Sequence, residues 1–99
     1  NPLAPDDYYW ILGMSEFFLG RYEATLGALL KMKNTDSVSR LIAAAAAMQG
    51  DARLAASYRD RWLQIYPDSR LENFTQFMPH ANKADVDHYL DALRRAGFP

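Results

Sequence analysis

The chain contains no cysteine, which excludes disulfides, thiolate nucleophiles and cysteine-ligated zinc. β-Branched residues are scarce and never alternate with polar ones over a useful length, so strands are not expected. No apolar run approaches the roughly 20 residues that a membrane-spanning helix needs. No signal peptide is visible at Asn1-Pro2-Leu3-Ala4-Pro5, and this start without methionine reads as a linker at the edge of a longer protein. An excess of one charge is also missing. The 11 Lys and Arg stand against 12 Asp and Glu, giving a net charge of -1, with the basic residues dispersed along the chain. That leaves no electrostatic footprint for nucleic acid or an anionic membrane surface. Gly-rich phosphate loops are absent and there are only two histidines, so catalytic material is sparse.

What is present is apolar residue in quantity, at 49% of 99 positions, and helical periodicity. Six helices are expected. The first runs from about Asp7 to Leu19, with Asp6 as its N-cap, and is apolar almost all round: Tyr8, Tyr9, Trp10, Ile11, Leu12, Met14, Phe17, Phe18, Leu19. Such a helix must be covered on more than one side. Gly20 breaks it, and a second helix runs from about Arg21 to Met32. Asp36 is expected to cap a third helix, which holds the run Ala43-Ala44-Ala45-Ala46-Ala47 and ends at Gly50. Asp51 caps a fourth that is ended by Pro67. Asp68 opens a short fifth helix through Leu71, Phe74 and Phe77, stopped before Pro79. After the loop His80-Ala81-Asn82, a last helix carries Val86, Tyr89, Leu90 and Leu93 and closes at Gly97. The fold class is all-α, built of antiparallel pairs because the loops are short.

The first two pairs share a pattern. Leu12-Gly13 is followed by Gly20-Arg21-Tyr22-Glu23-Ala24, and Ile42-Ala43 by Gly50-Asp51-Ala52-Arg53-Leu54-Ala55, closing at Pro67. This resembles the tetratricopeptide repeat, with Gly13, Gly20, Tyr22, Gly50, Ala55 and Pro67 at matching positions. Glu16 and Thr25 depart from the pattern, and the Gly20-to-Gly50 spacing falls short of the family's ~34-residue period. Gly13, Ala43 and Ala55 would sit where paired helices cross and must approach closely. The ending, Leu93-Arg94-Arg95-Ala96-Gly97-Phe98-Pro99 with Phe74-Thr75 and Phe77-Met78-Pro79 before it, resembles the C-terminal repeat region of bacterial adenylate-cyclase-type signalling proteins. The resemblance implies a right-handed α-solenoid of about two repeats. Residues 1–5 would be a linker remnant, 6–67 two helix pairs, and 68–99 capping helices and C-terminus. It also implies a cytoplasmic protein-interaction module that lacks the active-site residues of a cyclase.

In such arrays the first helix of each pair lines a groove that receives partners. That implies a groove of Trp10, Met14 and Phe17 from the first pair, with Arg40, Ala44, Ala47 and Met48 from the second. A peptide or helix with hydrophobic anchors would suit it. The competing reading is that this face packs on neighbouring repeats or on the capping helices. Self-association through the first helix is a second route to covering its apolar surface. Asp85, Asp87, His88 and Asp91 cluster on the last helix, where a solvated acidic face outweighs a metal site. Tyr58, Trp62 and Tyr66 recur every four residues, as core side chains do. No metal, cofactor or catalytic residue is expected.

Overall fold

The structure is a computed structural model that describes residues 4–74 and 82–99. Among the described residues all regular structure is helical. The elements are α1 (Pro5–Phe18), α2 (Tyr22–Leu29), a 3-10 turn (Asp36–Val38), α3 (Ser39–Met48), α4 (Ala52–Ile65), α5 (Leu71–Phe74) and α6 (Lys83–Arg95).

The turns between helices explain the pairing. Gly20 and Gly50 adopt φ of 78° and 85°, the left-handed conformation that lets a helix stop and the chain reverse. After Gly50, the Asp51 carboxylate accepts from the Leu54 amide and starts α4 as expected. The far ends of each pair are also tied. The Asp6 carboxylate at the start of α1 accepts from the amides of Lys33 and Asn34, just beyond α2, at 3.0 and 3.3 Å. Arg61, late in α4, donates to Thr35 Oγ1 just before α3. Both pairs are therefore antiparallel.

Several expected boundaries shift for local reasons. Asp6 does not cap α1. Pro5 occupies the first turn, where its missing N–H costs nothing, and Ala4 stands at the cap without a side-chain bond. That frees Asp6 to hold the turn after α2. α2 ends at Leu29 rather than Met32. Asp36 opens the 3-10 turn, not α3, and its amide donates to Asn34 Oδ1. The fifth helix starts at Leu71 rather than Asp68, and its expected continuation through Phe77 to Pro79, with His80 and Ala81, lies outside the described residues.

α3 is the hub, packing against α2, α4 and α6. Its Ala43, Ala44, Ala45 and Ala46 are all fully buried, and methyl side chains keep the neighbouring axes close. Gly13 does the same between α1 and α2. A Cβ there would lie 2.6 Å from Leu29 Cδ2, and Leu29 is itself fully buried. Thr25 takes the small-residue position in α2, fully buried with its hydroxyl bonded to the Arg21 carbonyl. The core also includes Phe17, Ile42, Ala55, Phe74, Tyr89, Leu93 and Phe98.

α6 completes the molecule. The Asn82 side chain caps it by accepting from the Asp85 amide. Gly97, with φ of 90°, turns the chain so that Phe98 enters the core edge-on to Phe74. The Pro99 carbonyl then accepts from the Leu71 amide, and Arg59 of α4 donates to the Ala96 carbonyl. Among the described residues no helix is long and apolar enough to cross a membrane.

Candidate functional site

One face of α1, from Trp10 to Phe18, and the start of α3 do not close on one another. Between them lies a cavity of about 260 Å³. Trp10, Met14 and Phe18, four residues apart, present one stripe of α1 to it. Ser37 and Val38 of the 3-10 turn and Leu41 of α3 form the opposite wall, and Tyr89 of α6 forms the end. Arg40 carries the single formal charge among the described lining residues. Trp10 is 42% exposed, a large apolar surface left in water at the cavity mouth.

Arg40 is held from several sides. Its Nε donates to Tyr89 Oη at 2.7 Å. Its guanidinium carbon lies 4.5 Å from the Phe74 ring centroid and 4.8 Å from that of Trp62, within cation–π range. Trp62 is fixed in turn by donating from Nε1 to Ser69 Oγ. Burial pushes the Tyr89 phenol above its ordinary pKa, against the opposing pull of Arg40. The phenol is therefore neutral at physiological pH. On its other side Arg40 borders a second, more open hollow lined by Trp62, Ile65, Tyr66, Asp68, Asn73 and Phe74.

Of the expected groove residues, Trp10, Met14 and Arg40 line the cavity together. Phe17 and Ala44 do not, because both are fully buried. The Phe17 ring stacks on the His88 imidazole at 4.8 Å and meets Tyr89 edge-on, so α6 covers it. Ala47 and Met48 are half-buried near the far end of α3 and take no part in the cavity wall. The reason is α6, which lies along α3 over the inward face. Phe18, Ser37, Val38, Leu41 and Tyr89 line the cavity without belonging to the groove expected from the sequence. Phe18 was legible in the Trp10-Met14-Phe18 spacing, whereas Tyr89 enters only through long-range docking.

The acidic cluster of α6 is dispersed among other partners. His88 Nε2 lies 2.6 Å from Tyr22 Oη, and Asp87 and Asp91 pair with Lys83 and Arg95 within the helix. Among the described residues no group of three or more His, Cys, Asp or Glu is placed to hold a metal ion. Tyr66 is 48% exposed, Trp62 is half-buried and both line the second hollow, so the Tyr58-Trp62-Tyr66 stripe does not lie wholly in the core. Comparison with protein-family models, curated proteins and solved structures gives no match.

Proposed function

We propose that this chain is a protein-interaction module, a tetratricopeptide-like α-solenoid of about two repeats with capping helices. On this reading it forms the C-terminal part of a larger, cytoplasmic bacterial signalling protein of the adenylate-cyclase type. The resemblance of the repeat pattern and of the ending Leu93 to Pro99 supports that assignment. The module binds a protein or peptide partner and performs no chemistry of its own. The observation that carries the reading is the open apolar cavity between α1 and α3, with half-exposed Trp10 at its mouth and a fixed Arg40 inside. Preformed apolar recesses with one oriented charge are what a partner's side-chain anchor fills.

The test is site-specific photo-crosslinking in cells. Benzoylphenylalanine at position 10 is expected to capture a discrete partner, and Met14→Asp in the same chain to abolish the adduct while circular dichroism remains helical. The same label at exposed Arg53 of α4 serves as control. Equal adducts from both positions, or an adduct indifferent to Met14→Asp, would reject the cavity as the partner site.

A second reading is favoured by one observation. Tyr8, Ile11 and Leu19 are 54%, 47% and 64% exposed and lie with Ser15 along the outer face of α1. That stripe supports self-association, which would set the oligomeric state of an attached effector domain.

A further inference from the structure

The aromatic stripe of α4 leaves the core at its last turn, and the chain that follows sets polar groups beside it. We propose that the hollow at this end of α4 binds a neutral heteroaromatic ring of nucleobase size carrying an amino group. The ring stacks on Tyr66, and its edge is read by Asp68 and Asn73.

Most of the site is built from one turn. Pro67 cannot continue α4, and the Ser69 amide donates to the Tyr66 carbonyl at 3.2 Å, closing a turn over Pro67 and Asp68. The Ser69 hydroxyl accepts from Trp62 Nε1 at 3.0 Å, so the same turn fixes the indole. The Tyr66 ring centroid lies 4.4 Å from that of Trp62, with the planes tilted by 39°. Tyr66 is thus backed by an immobilised ring while 48% of its surface stays in water. Ile65, itself 42% exposed, and Phe74 extend the apolar wall.

Size and chemistry then select the ligand. The hollow measures about 580 Å³, inside the range of roughly 300–1,000 Å³ typical of small-molecule sites. At its border the Asp68 carboxylate can only accept hydrogen bonds, whereas the Asn73 amide both donates and accepts. Both residues are exposed, and neither side chain has a hydrogen-bond or ionic partner among the described residues. A matching edge carries an amino group for the carboxylate, next to a ring nitrogen or carbonyl for the amide. Cytosine and adenine carry such edges. Stacking on an aromatic side chain accepts rings of either size. Arg40 also borders the hollow, but its guanidinium is engaged by Tyr89, Trp62 and Phe74, and a neutral ring draws on none of its charge. The dispersed basic residues give a phosphate backbone no track to follow, so the ring arrives as a free base or nucleoside and not within a strand.

The test uses the chain with two pairs of nucleosides, cytidine with uridine and adenosine with inosine. Within each pair an amino group is exchanged for a carbonyl on a ring of the same size. The two tryptophans report location, because Trp62 borders this hollow and Trp10 the cavity between α1 and α3. In nitrogen–proton correlation spectra, cytidine and adenosine are expected to shift the Trp62 indole signal and leave that of Trp10 in place, with dissociation constants on the order of millimolar. Uridine and inosine are expected to bind about tenfold more weakly, because their carbonyl faces the carboxylate. Ribose is expected not to bind, and an oligocytidylate strand to bind no more tightly than cytidine.

Asp68→Asn should erase the preference within each pair, since an amide serves either edge, and Tyr66→Ala should weaken all four nucleosides. The paired comparison on the unaltered chain decides the matter even where a variant fails to fold. Equal affinity within both pairs would overturn the proposal, as would ribose matching the nucleosides or the strand surpassing cytidine. So would shifts confined to Trp10, or no shift at tens of millimolar cytidine. Crosslinking from position 10 reads the other cavity, so a protein partner captured there without nucleoside binding would leave the interaction module standing and remove this site. The converse result would do the opposite.

Discussion

Tyr89 shows how one side chain couples the last helix to the candidate site. It is buried, it holds Arg40, and it meets Phe17 edge-on. Its phenol is pushed above the ordinary value, first by burial and only partly offset by Arg40. A raised folded-state pKa means that the native chain keeps this proton longer than the unfolded chain does. The stabilisation is complete below pH ~10 and is lost as pH rises through the folded value. Urea midpoints measured between about pH 8 and pH 11 should therefore fall at the alkaline end, and Tyr89→Phe should make that fall shallower. An identical slope in the variant would assign the alkaline loss to other groups. Asp6 makes a different residue-scale point. Its carboxylate closes the first pair by accepting from two backbone amides, so Asp6→Ala should destabilise by about 1–2 kcal/mol in the same urea assay. In the sequence Asp6 reads as a helix cap. The competing fact is Pro5, which supplies the first turn without a cap and leaves the carboxylate to reach across the pair.

At the scale of the element, two glycines in the first pair have opposite expectations. Gly13 in α1 faces Leu29 with no room for a Cβ, whereas Gly27 in α2 is exposed, with nothing within 4 Å of where a Cβ would stand. Gly13→Val should cost roughly 1–3 kcal/mol through overpacking. Gly27→Ala should stabilise by about 0.8–1 kcal/mol, because alanine is the better helix former. Thermal melts of both variants check the pair of signs, and the same sign for both would contradict the packing of α1 on α2. The element pattern was legible because Gly20, Gly50, Asp51, Asn82 and Gly97 are local signals that carry their own geometry. The start of α3 was not, since Asn34, Thr35 and Asp36 use their bonds on a 3-10 turn that any of several caps would have suited.

For the whole molecule, the decisive feature is where α6 lies. The sequence pattern places Phe17 and Ala44 in a groove beside Trp10 and Arg40, with packing of that face on the capping helices as the competing reading, and it does not choose between them. With α6 along α3, Phe17 and Ala44 are core, while Trp10, Met14 and Arg40 line a cavity closed at one end by Tyr89. Which helix covers which face depends on contacts between distant residues, such as His88 with Tyr22 and Tyr89 with Arg40, and no local spacing encodes them. The outer face of α1 is the other molecular question. If it self-associates, light scattering should show mass rising with concentration, and Ile11→Lys with Leu19→Lys should return a monomer at every concentration. A wild-type monomer throughout would remove self-association as the cover for that face. The alanine run of α3 has a last consequence, for mutational tolerance. Four successive positions present only methyl groups, all fully buried, to the helices packed around them. Substitution at consecutive helical positions normally alternates between permissive and forbidden as the helix turns. Along residues 43–46 that alternation should vanish, leaving an unbroken stretch that admits little beyond glycine and serine. A scan of all single substitutions would show it as a helical segment without a permissive face.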